Sequence, residues 1–180
     1  MMLDLLSTKD TSLVGEIGEV IARKYLWHKG ITAYAPGRIM WLSLLAERTD
    51  ILNLYLEVEK NHDMFEELNE AEQRVLIEYS SVKTLGEERI RYLKDLFDYG
   101  PTWCWDYAGY GRHSEEVYLI EVKTSRVGKK YTLKSSWSGR SRRGYQRVDL
   151  EKARSLGFKL LLVNVELLDN WKFEVSDREL

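Results

Sequence analysis

Two neighbouring stretches constrain this chain more than anything else in it. Trp103-Cys-Trp-Asp-Tyr-Ala-Gly-Tyr-Gly111 and Val117-Tyr-Leu-Ile-Glu-Val-Lys-Thr124 read as two strands joined by a polar turn. Aromatic and β-branched residues dominate them, which suits a pleated, half-buried surface. Yet Asp106, Glu121 and Lys123 stand where such strands should be apolar. Side chains alternate along a strand, so Val117, Leu119, Glu121 and Lys123 share one face, and Tyr118, Ile120 and Val122 the other. Burying a carboxylate and an ammonium is costly unless they are paired or bound to a metal.

The surrounding pattern supplies a sheet for these strands. Val14, Ile17, Ile21 and Tyr25, with Val20 beside them, repeat at helical spacing and predict a helix that stops at Lys29-Gly30. Gly15 and Gly18 interrupt it; glycine weakens a helix, so both predict a close approach of the helix backbone to something. Glu16 and Glu19 lie one turn apart at the edge of the apolar stripe. Ile31 to Pro36 predicts a short strand. Phe158-Lys-Leu-Leu-Leu-Val-Asn-Val165 is a nearly continuous apolar run that suits a central strand. Trp171 to Val175 alternates as an edge strand, and Tyr145 to Leu156 reads as a helix ending at Gly157. The order helix, strand, helical stretch, two strands, helix, two strands implies an α/β fold with a mixed sheet and helices against it.

Residues 37–100 differ in character, with fourteen acids against eight bases and helical periods throughout. A helix is expected over Met40, Trp41, Leu44 and Leu45. Leu52 to Glu59 fits a strand or a helix, with the helix favoured through Ile51, Leu54, Tyr55 and Val58. Asp63 to Ser80 predicts one continuous helix with Met64, Leu68, Ala71, Val75, Leu76 and Tyr79 on one side. Gly86 to Tyr99 predicts another, with Ile90, Leu93 and Phe97 inward. At 180 residues the chain is expected to be one domain, with 37–100 as a helical insertion or cap.

Charge is distributed unevenly. Val122 to Leu160 holds twelve Lys or Arg against Asp149 and Glu151, whereas the remainder carries fifteen against twenty-seven acids. A basic third on an acidic remainder points to a polyanion-binding surface. Lys129, Lys130, Lys134, Arg140, Arg142 and Arg143 crowd a Ser- and Gly-rich loop, with Tyr131 and Trp137 available for base stacking. The single Cys104 excludes an internal disulfide and fits a reducing, cytoplasmic setting. The opening residues lack a basic n-region, and no apolar run approaches spanning length, so neither signal peptide nor membrane is expected. His28, His62 and His113 lack ligand spacing.

With those residues in place, a resemblance emerges. Asp106 followed fifteen positions later by Glu121-Val-Lys123 resembles the bipartite signature of the PD-(D/E)xK nuclease superfamily. The Gly-Glu-Ile-Gly-Glu19 helix resembles the first helix of archaeal Holliday-junction resolvases and Mrr-type endonucleases. Two departures stand out. Trp105 occupies the place of the family's proline, and Gln146 is followed by Leu150 where the RecB-like branch has tyrosine. The resemblance implies a restriction-endonuclease-like fold and a Mg²⁺ or Mn²⁺ site formed by Asp106, Glu121, the Val122 carbonyl and Glu19. Lys123 would handle the nucleophilic water or the phosphate. Lys129, Lys130, Lys134, Arg140, Arg142, Arg143 and Gln146 would lie along nucleic acid. Hydrolysis of DNA phosphodiesters is the implied activity, with RNA left open, and a homodimer would supply two cuts. The rival expectations are a non-cleaving binding module that docks a protein through 37–100, and an accessory subunit whose acidic insertion imitates nucleic acid.

Overall fold

The computed structural model describes residues 11–98, 105–126, 150–168 and 172–179. In chain order the elements are α1 (Thr11–His28), β1 (Ile31–Tyr34), α2 (Pro36–Ala46), α3 (Thr49–Lys60), α4 (Met64–Glu67), α5 (Glu70–Leu85), α6 (Glu87–Asp98), β2 (Tyr107–Gly111), β3 (Val117–Arg126), α7 (Leu150–Ser155), β4 (Phe158–Leu167) and β5 (Phe173–Glu179). They build a mixed α/β structure that divides into two compact units, Met1–Tyr34 with Pro101–Leu180, and Ala35–Gly100.

The first unit is organised by a five-stranded sheet in the order β1-β2-β3-β4-β5. β1, β2 and β3 run antiparallel to their neighbours, β4 is parallel to β3, and β5 closes the other edge antiparallel to β4. The two longest strands, β3 and β4, therefore lie at the centre, where burial on both faces explains their apolar runs. One face carries Tyr107, Tyr118, Ile120, Val122, Leu161, Val163 and Val165, buried against Val14, Ala22 and Leu26 of α1. Ile17, Ile21 and Tyr25 complete the helix stripe, while Val20 turns out to solvent. The opposite face buries Leu119, Leu160 and Leu162. α7 packs against β4 and buries Ala153.

The seat of α1 on β3 depends on one glycine. A Cβ built on Gly18 would stand 1.7 Å from Thr124 Oγ1, so the helix backbone rests directly on the strand there. Gly15 corrects the paired expectation: its Cβ would meet nothing within 4 Å. The helix stops at Gly30, whose φ of 80° only glycine adopts cheaply and whose N–H donates to Trp27 O at 3.0 Å.

The second unit is helical. α2 opens on Pro36 at a position whose N–H would have no helical partner, and buries Ile39, Leu42, Ser43 and Leu45. The helix expected over Met40, Trp41, Leu44 and Leu45 is α2, with Trp41 and Leu44 exposed. The ambiguous Leu52–Glu59 stretch is helical, within α3, and rests its Tyr55 ring 5.3 Å from Tyr79 of α5. Tyr79, Leu76, Val82 and Leu85 form the buried side of α5, and Ile90, Tyr92 and Leu93 that of α6.

The continuous helix expected over Asp63–Ser80 is instead broken. α4 ends at Glu67, Leu68 turns extended at ψ 149°, and α5 restarts at Glu70. Asn69 is the cause. Its side chain accepts from Ala71 N at 3.0 Å and Glu72 N at 3.1 Å, and Glu72 accepts from Asn69 N at 3.0 Å. This reciprocal cap satisfies three backbone donors at the start of α5, and Ala71 is exposed. Among the described residues no helix is long and apolar enough to cross a membrane.

Candidate functional site

Asp106, Glu121, Lys123 and Glu19 all belong to the sheet-bearing unit. β3 alternates as its sequence requires: Val122 lies in the core under α1, so Glu121 and Lys123 face the other way. Glu121 is 5% exposed, one of three buried polar residues among those described. Lys123 Nζ donates to Glu121 Oε1, closing an ion pair two residues apart on that face.

Asp106 immediately precedes β2, and the ladder slips there. Tyr107 is the Cα partner of Ile120, yet the Asp106 N–H also donates to the Ile120 carbonyl, at 2.9 Å. The displaced residue swings its carboxylate alongside β3, where Oδ2 accepts the Val122 N–H at 2.6 Å. Asp106 is thereby held beside the Glu121–Val122 step by backbone alone. Glu19 comes from α1, half-buried, and its carbonyl oxygen accepts from the Tyr107 hydroxyl at 3.5 Å. Glu16, one turn earlier, is exposed.

The three carboxylates sense one another. Burial pushes the Glu121 carboxyl up to about 7, Asp106 and more weakly Glu19 push the same way, and Lys123 opposes them. Burial raises Asp106 too, against the Val122 hydrogen bond and Lys123. Glu19 is raised by burial, then by Asp106, then by Glu16. A helix and two strands thus bring Glu19, Asp106 and Glu121 into mutual repulsion, with Lys123 partly compensating.

The groups are not poised as a closed cage. Among the described residues no three His, Cys, Asp or Glu side chains gather tightly enough to hold an ion. Asp106 is turned onto the Val122 amide and Glu121 onto Lys123. The donors nonetheless suit a hard cation: they are carboxylate oxygens, with no imidazole or thiolate among them. His28, His62 and His113 are exposed. Lys129, Lys130, Lys134, Arg140, Arg142, Arg143 and Gln146 lie outside the described residues.

One neighbour escapes the sequence reading. Asn164 of β4 is the Cα partner of Lys123, and its Oδ1 is buried without a hydrogen-bond partner among the described residues. The available signal was a polar residue between Leu160 and Val165 in an otherwise apolar strand. No family profile, curated protein or solved structure matches the chain.

Proposed function

We propose that this chain is a divalent-cation-dependent nuclease that hydrolyses DNA phosphodiesters, built on the restriction-endonuclease-like plan of the PD-(D/E)xK superfamily. The observation that carries the reading is the placement of Asp106 and Glu121 at neighbouring strands beside Lys123. Two adjacent strands hold the carboxylates in mutual repulsion, and Glu19 adds to it from α1. Repulsion among buried carboxylates costs stability, and a bound cation would relieve it. The mixed sheet flanked by helices supports the same plan.

Asp106 and Glu121 would hold the cation, with the Val122 carbonyl and Glu19 contributing oxygens. Held there, Mg²⁺ or Mn²⁺ supplies charge neutralisation at a phosphoryl oxygen and acidifies a water. The remaining chemistry falls to the chain itself. The Lys123 ammonium, 29% exposed and on the same face, can orient the attacking water or stabilise charge developing on the phosphate. The Asp106–Val122 hydrogen bond restrains one carboxylate through Oδ2, whereas Glu121 would have to be released from Lys123. Downstream of Arg126 the basic sequence would neutralise phosphates without reading bases.

Incubation with plasmid and synthetic junctions in Mg²⁺ or Mn²⁺ tests this, with Glu121→Gln as the control. Metal-dependent cleavage abolished by that substitution is the expected result; cleavage that persists unchanged in it sinks the assigned site.

A second reading has its own observation. The Lys123–Glu121 pair and the Asp106–Val122 bond satisfy these charges internally. That suits a module which binds nucleic acid and does not cut it. Retention of DNA with no cleavage of any substrate would favour it.

A further inference from the structure

Asn164 is an expensive choice at its position. The rest of β4 around it is Leu160, Leu161, Leu162, Val163 and Val165, all buried. Val163 and Val165 face α1, so Asn164 lies on the other side of the sheet, beside Lys123. Its Oδ1 is buried and accepts no hydrogen bond among the described residues, although Ser176 flanks it on β5. An unmatched buried acceptor weakens a fold, and valine or leucine would avoid the loss. The position is better explained by a donor that arrives in another state of the site.

Lys123 is that donor. Its ammonium has three N–H groups and now engages Glu121. If the Glu121 oxygens take a divalent cation, an ammonium against the same carboxylate meets like-charge repulsion. Neighbouring strands are about 4.8 Å apart, which a lysine side chain spans. From the Lys123 backbone, the uncharged acceptor directly across the ladder is Asn164 Oδ1.

We infer that Asn164 is a positioning residue: on cation binding the Lys123 ammonium transfers from Glu121 to Asn164 Oδ1, which keeps it at the site. This rests on the cation-site reading above. The exchange leaves Glu121 open to the cation while retaining the lysine charge where phosphate would lie.

Calorimetric titration of the full chain with Ca²⁺ alone tests the exchange without reference to turnover. Four proteins are compared: native, Asn164→Leu, Lys123→Met and the double variant. Loss of the acceptor should weaken Ca²⁺ binding about 10-fold in the native background and less than about 2-fold in the Lys123→Met background. The cation-free melting temperature of Asn164→Leu should not fall, because its oxygen has no hydrogen-bond partner among the described residues in that state. Asn164→Val, better suited to a strand, stands in if the leucine variant does not fold. Equal weakening in both backgrounds, no weakening, or a lowered cation-free melting temperature overturns the role of Asn164 and leaves the cation site standing. Absence of any Ca²⁺ heat in the native protein overturns the cation site, and the exchange with it.

Discussion

Replacing Glu121 by glutamine should make the cation-free protein more stable at neutral pH while removing its response to divalent cations. The magnitude follows from the carboxyl itself. Its pKa rises from 4.5 to about 7 in the folded protein, chiefly through burial and then Asp106. Because the folded state holds this proton more tightly than the unfolded state does, the contribution is fully present below pH 4.5. It is lost as pH climbs through about 7. Once the group is ionised the loss is about 3 kcal/mol. Glutamine never ionises and so escapes that loss; the opposing pull of Lys123 is already contained in the value of about 7. The net gain is about 3 kcal/mol, or a melting temperature roughly 6–12 °C higher for a chain of this size. Scanning calorimetry near pH 8 and again near pH 4 separates the causes: the gain should appear at the higher pH and vanish at the lower. A glutamine variant that is less stable at high pH, or whose difference from native ignores pH, refutes the electrostatic account.

Further outcomes follow from the packing. Gly18→Ala places a methyl against Thr124 and should cost about 1–3 kcal/mol in urea unfolding, whereas Gly15→Ala meets open space and should gain about 0.5–1 kcal/mol. Asn69→Ala removes the two bonds its side chain accepts, from Ala71 N and Glu72 N, and should cost about 1 kcal/mol, with amide hydrogen exchange rising first in the opening turn of α5. Leu162→Ala, at a fully buried central position, should lower stability by about 2–5 kcal/mol by denaturant titration.

What could be read from the chain alone was what depends on local period. The stripe of α1 marks the side that meets the sheet, the alternation of β3 sorts its side chains between two faces, and the apolar run of β4 marks burial on both. Pairings between distant residues were not legible. Gly15 and Gly18 look alike in sequence; only the seating of α1 over Thr124 separates a required glycine from a dispensable one. The break at Asn69 was missed because the apolar spacing of Asp63–Ser80 continues across it, while a capping side chain overrides the period. Asp106 stood out as a charge in an apolar stretch, but the slipped pairing that aims it at the Val122 amide was not legible. Asn164 stayed hidden because its meaning lies in the register of β4 against β3, which no single strand carries.

The division of the first unit into Met1–Tyr34 and Pro101–Leu180 bears on the order in which the molecule can assemble. Ile31 pairs with Gly111, 80 positions later, so β1 has no partner when it leaves the ribosome. At ~5–20 residues per second it waits about 4–16 s for β2, and longer for β4. Throughout that interval Val14, Ala22 and Leu26 have no sheet to cover them. Ala35–Gly100, with its short-range helical contacts, can meanwhile fold on its own schedule. A nascent α1 therefore waits with its apolar side bare, and the carboxylates of the candidate site cannot come together until β3 has followed β2.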